Sequence, residues 1–130
     1  MKKRATRVER TRNANTLTEA EYFSRIRSAL RRTFRFWKPM FLALQAASRP
    51  YKGKSKNQKW EYQCAKCKKW FKRTDVEIDH IVGCGELRKL EDIPGFIERL
   101  TCEDVSCYQV LCKPHHLEKT IEEKAKRKAK

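Results

Sequence analysis

Two pairs of metal-ligating side chains stand out, Cys64 and Cys67 in "CAKC" and Cys112 and His115 in "CKPH". In each pair the spacing lets a tight turn aim both ligand atoms at one ion. Together they form a Cys3His set, which suits tetrahedral zinc and leaves no open coordination position. The expectation is a structural zinc knuckle, whose ion binding is part of the folding free energy. Cys84, Cys102 and Cys107 lack paired spacing and are assigned no ligand role.

His115 is followed at once by His116. On a helix the next residue is rotated by roughly 100°, so His116 faces away from the zinc and is free for a second metal. The stretch "VEIDHIV" (76–82) supplies Asp79, a carboxylate suited to Mg2+ or Mn2+, and His80, which titrates near neutral pH. Phosphodiester hydrolysis needs an activated water, charge stabilisation at the phosphoryl oxygens and help for the leaving oxygen. A histidine covers the first need and one divalent ion the other two. Adjacent residues on an ideal strand face opposite sides, so Asp79 and His80 share a centre only if the strand end is distorted.

The elements that must position these groups follow from the hydrophobic pattern. Thr18 and Glu21 have capping-box spacing. Tyr22, Ile26, Leu30, Phe34 and Trp37 then recur at helical intervals, interleaved with Arg25, Arg27, Arg31, Arg32 and Arg35. This predicts an amphipathic helix of about five turns, ended or kinked by Pro39, with "MFLALQAAS" as a second short helix. "RPYKGKSKNQK" reads as a basic linker. "WEYQCAKCKKWF" predicts two short strands around a metal-binding turn, and "VEIDHIV" and "YQVLC" predict strands. "LEDIPGFIERL" predicts a short helix with Asp92 as cap and Pro94 in its first turn, and "PHHLEKTIEEKAKRKAK" a closing helix.

The net charge of +16 over 130 residues is unevenly placed. Residues 1–58 hold sixteen Lys/Arg against three Asp/Glu, residues 59–118 ten against eleven, and residues 119–130 six against two. A near-neutral middle with basic flanks suits a polyanion, because neutralising phosphates releases condensed counterions. DNA is the expected partner, with Lys2, Lys3 and Arg4 of the arm and Arg27, Arg31 and Arg35 of the helix as contacts. No run reaches the ~18 apolar residues of a membrane span, and no secretory segment is evident. The expectation is a monomeric cytoplasmic protein with reduced, metal-ligating cysteines and no membrane partner.

The order C-x-x-C, then "DH" on a strand, then C-x-x-(C/H)-H opening a helix resembles the zinc-knuckle branch of the HNH endonucleases. "EIDHIV", "PGFIERL" and "VLCKPHHLEKT" are most similar to small stand-alone HNH proteins of tailed bacteriophages. The resemblance covers roughly residues 60–120. It implies an α+β chain with a small ββα-metal domain and a structural zinc knuckle, preceded by a basic helical extension. Together with the composition and patterning of the flanks, the expected division is an arm (1–16), a helical basic extension and linker (17–58), the nuclease domain (59–120) and a basic tail (121–130). The resemblance implies a DNA endonuclease with His80 as general base, Asp79 and His116 on a catalytic Mg2+ or Mn2+, and Lys119 on phosphate. If the chain is viral, the host cytoplasm is its compartment and packaging proteins such as terminase are candidate partners. The chain departs from the family in having His115 for a fourth cysteine and no asparagine near Cys107, where Asp104 and Gln109 are the candidate replacements. The alternative reading is a zinc-stabilised, non-catalytic nucleic-acid-binding or packaging-adaptor module.

Overall fold

Thr18 begins the first helix as its spacing to Glu21 predicts. In a computed structural model describing residues 7–128, Thr18 Oγ1 accepts from the Glu21 amide at 3.1 Å, and the Glu21 carboxylate accepts from the Thr18 amide at 3.0 Å. The helix α1 runs Glu19–Thr33 and stops a turn short of the expected length. Pro39 lacks an N–H and its ring would clash with the Arg35 carbonyl, so one uninterrupted helix cannot run through it. Pro39 instead sits buried in the first turn of α2 (Lys38–Ala46).

Ahead of α1, β1 (Arg10–Arg12) pairs antiparallel with β2 (Leu17–Thr18). Asn13, Ala14 and Asn15 turn the chain with positive φ. Part of the arm expected to be flexible is therefore a short ladder, tied to α1 by Arg12 Nε, 2.5 Å from the Glu19 carboxylate.

Two further sheets follow. β3 (Ser48–Pro50), β4 (Trp60–Gln63) and β5 (Trp70–Phe71) form an antiparallel meander. The "CAKC" turn lies between β4 and β5, as the strand–turn–strand pattern predicts. β6 (Val76–His80) pairs antiparallel with β7 (Tyr108–Cys112), placing Asp79 opposite Gln109 and His80 opposite Tyr108. The long connection between them contains α3 (Ile93–Leu100), with Pro94 in its first turn. Asp92 does not cap α3; its carboxylate accepts from the Arg88 and Lys89 amides and closes the turn before it. The closing helix α4 runs Lys113–Lys128, directly off the end of β7.

Three apolar clusters join these parts. Phe23 of α1 packs with Cys84, Leu87, Phe96 and Leu100, flanked by Tyr22, Ile26, Leu30 and Phe34. The apolar stripe of α1 is thus covered by α3 and the loop before it. Leu44 of α2 packs on Val76 and Val110, with Tyr62 and Phe71 alongside. Cys64, Leu111 and Cys112 form the third. Elements on both sides of residue 58 share these cores, so the helical segment is built onto the strands rather than tethered beside them. Among the described residues no helix is long and apolar enough to cross a membrane. The molecule is a small mixed α+β domain with short sheets and a Cys/His cluster able to bind metal.

Candidate metal centre and adjoining cleft

The β4–β5 turn brings Cys64 and Cys67 to the junction of β7 and α4, which carries Cys112 and His115. Lys68 takes positive φ within that turn, the local cost of folding the thiols back on one point. The four ligand atoms lie within 4.8 Å of one another. His115 Nδ1 is 3.2 Å from Cys112 Sγ and 3.6 Å from Cys64 Sγ. Ligands at about 2.0–2.3 Å from one tetrahedral ion have mutual separations of this order. The set therefore fits zinc by both donor type and spacing. Burial pushes the Cys64 thiol up, but the amides of Cys67 and Cys112 and the His115 ring outweigh it, bringing its pKa down to about 6. Burial holds the Cys112 thiol above its usual range.

The cysteines without paired spacing fare differently. Cys84 is buried in the α1–α3 core, where desolvation raises its thiol. Cys102 and Cys107, for which spacing gave no partner and a reduced state was expected, are joined by a disulfide across Cα atoms 6.5 Å apart. The intervening turn makes this reachable: Asp104 accepts from the amide and hydroxyl of Ser106 and folds the segment back. Asp104 is therefore spent on its own loop. Gln109, the other candidate for the missing asparagine, donates to Asp79 Oδ2 at 2.9 Å from the neighbouring strand.

His116 turns away from the thiols, as the helical rotation predicts. Its Nε2 lies 3.7 Å from Asp79 Oδ1. A carboxylate oxygen and an imidazole nitrogen each about 2.1 Å from one ion lie some 3–4 Å apart, so this pair fits a shared divalent cation. The same spot already gathers oxygens around a positive charge. Lys119 Nζ donates to Asp79 Oδ2 at 2.6 Å, to the His80 carbonyl at 2.5 Å and to Glu123 Oε1 at 3.0 Å. Burial presses Lys119 down, but its bonds to Asp79 and Glu123 prevail and hold it above the usual lysine range. With three acceptors its ammonium is saturated and offers no free donor to a phosphate.

β6 stays in register to its end, so Asp79 and His80 do leave opposite faces of the strand. Asp79 points to Gln109 and α4, whereas the His80 ring packs edge-on to Tyr108 at 4.9 Å. His80 Nε2 is 3.3 Å from the Leu100 carbonyl. A carbonyl only accepts, so Nε2 carries the proton and Nδ1 keeps its lone pair. Burial, aided by the charges of Arg31 and Lys119, lowers the His80 pKa. A cleft of about 380 Å3 wraps the strand end and is lined by both, with His116, Arg27, Arg31 and Arg127.

Of the arginines expected on DNA, Arg27 and Arg31 thus line the cleft, whereas Arg35 lies over the Phe36 ring at 4.5 Å. Lys2, Lys3 and Arg4 fall outside the described residues. Thr120, Glu123 and Arg127 also line the cleft and escaped the sequence reading. A signal for them existed: with His116 they recur at steps of four, three and four along α4, one face of a helix. No protein-family model, curated protein or solved structure matches this chain.

Proposed function

We propose that the chain is a metal-dependent DNA endonuclease of the HNH type, with a ββα-metal arrangement made by β6, β7 and α4 and a structural zinc at Cys64, Cys67, Cys112 and His115. The observation that carries this reading is the 3.7 Å approach of His116 to Asp79 in a cleft that also takes His80. His80, neutral near pH 7 and with Nε2 committed to the Leu100 carbonyl, accepts the proton of an attacking water at Nδ1. Asp79 and His116 would hold a catalytic Mg2+ or Mn2+, which when bound supplies charge neutralisation at the phosphate and leaving oxygen. Gln109 keeps Asp79 oriented from the adjacent strand. The zinc site pins the first turn of α4 to the end of β7, which sets the direction of His116.

Plasmid DNA incubated with the zinc-loaded protein and added Mg2+ or Mn2+ tests the reading. Nicked or linear product is expected when Mg2+ or Mn2+ is added, and none from the zinc-loaded protein without it. His80→Ala is expected to lower the rate by roughly two to four orders of magnitude with zinc content unchanged, the usual contribution of a positioned base. One observation favours the non-catalytic alternative: the Lys119 ammonium already pairs with Asp79 Oδ2 at 2.6 Å. Under that reading the protein binds DNA but leaves the plasmid intact at every metal concentration.

A further inference from the structure

Three guanidinium groups converge on the cleft from two helices that the strands do not include. Arg27 and Arg31 lie one turn apart on α1, and Arg127 comes from the last turn of α4. The α1 pair is held by a common support. Both guanidiniums lie over the Phe96 ring, at 5.7 and 5.8 Å from its centroid, and that ring is fully buried. Their position is therefore set by the α1–α3 core and not by solvent-exposed rotamers alone.

This group of charges is not balanced locally. Among the described residues none of the three takes part in an ion pair. The two carboxylates of the cleft, Asp79 and Glu123, both hold Lys119. Burial, with the nearby charges of Arg31, Arg127 and Arg88, keeps Arg27 below its usual range. Like charges gathered without counter-charge are unfavourable unless an anion joins them, and a planar guanidinium fork matches phosphate in a bidentate manner.

We propose that Arg27, Arg31 and Arg127 form a phosphate clamp that grips the DNA backbone beside the bond presented to Asp79, His80 and His116, making α1 part of the active cleft. The clamp positions the strand and does not touch the reacting atoms. It rests on the nuclease reading for what is cleaved, but the anion-binding step stands on the arginines alone. A substrate must then carry a further phosphate beside the reacting diester, which a simple isolated phosphodiester lacks.

The test compares wild type, Arg27→Gln/Arg31→Gln, Arg27→Lys/Arg31→Lys, Arg127→Gln and the control Arg32→Gln, an exposed α1 arginine outside the cleft. Binding of a short DNA duplex to the zinc-loaded protein is measured across a salt series with no chelator and no added Mg2+ or Mn2+, and plasmid cleavage with Mn2+. The double glutamine variant is expected to lower kcat/KM at least tenfold, with zinc content and Tm held. Its log–log salt slope should fall by up to about two, near 0.9 for each phosphate no longer neutralised. The lysine variant should recover the salt slope and only part of kcat/KM, because it keeps the charge and loses the fork. Arg32→Gln should match wild type in cleavage. Should the double variant lose zinc, Arg127→Gln provides the second arm, since it lies at the far end of α4. Cleavage by wild type with unchanged kcat/KM and slope in both variants would overturn the clamp and leave the nuclease reading standing. A wild type that binds DNA, never cleaves it, and loses binding in the same variants would keep the clamp and overturn the nuclease reading.

Discussion

His115 and His116 are neighbours in sequence with opposite surroundings, and the difference is a consequence of one step of helical rotation. His115 Nδ1 lies among thiols at 3.2 and 3.6 Å, and His116 Nε2 lies 3.7 Å from a carboxylate. Their substitutions should therefore separate cleanly. His115→Ala is expected to lose zinc and loosen the fold, and His115→Cys to restore zinc as a four-thiolate site. His116→Ala should keep one zinc per chain and a near-normal melting curve while losing cleavage. Metal analysis with melting curves on the three variants decides the matter. Zinc lost from His116→Ala and retained by His115→Ala would reverse the assignment.

At the scale of elements, α1 depends on its first turn and on the ring it packs against. The reciprocal bonds between Thr18 and Glu21 satisfy amides that the helix itself cannot. Thr18→Ala is expected to cost about 1 kcal/mol in denaturant unfolding. An unchanged midpoint would mean that the Arg12–Glu19 pair and the β1–β2 ladder hold this end without the cap. Phe96, fully buried between α1 and α3, carries more. Phe96→Ala should cost about 3–5 kcal/mol, the transfer term plus the cavity left behind. A loss below ~1 kcal/mol would show that α1 is not seated on α3 as described.

At the scale of the whole molecule, charge is separated from the metal-binding middle. Arg27 and Arg31 from the first basic flank and Arg127 from the second meet in one cleft. Deleting residues 1–9 spares the β1–β2 ladder and removes part of the flank. Weaker DNA binding of similar size for every sequence is expected, with a shallower dependence on salt, because contacts to phosphates carry no base information. A slope unchanged from wild type would mean that this segment does not touch DNA.

Much of this protein can be read from local spacing, because local spacing is what turns and helices translate directly into geometry. Cys64-x-x-Cys67 and Cys112-x-x-His115 specify two turns, and the rotation between His115 and His116 specifies two directions. Thr18 with Glu21, the stripe through Tyr22 and Ile26, and Pro94 in a first turn are likewise local facts. The helix ends at Thr33, earlier than its apolar stripe, and Pro39 bars one continuous helix through Arg35. What remained hidden depends on the conformation of a loop or on chain-distant contacts. The pairing of Cys102 with Cys107 needed the turn folded by Asp104, and the partner of Asp79 needed the β6–β7 register that places Gln109 opposite it. The stripe of α1 named an apolar face but not its occupant. Only docking on Phe96 turned Arg27 and Arg31 from a solvated basic face into the wall of a cleft shared with His80, since periodicity gives a residue's direction about its own helix and never the surface that meets it.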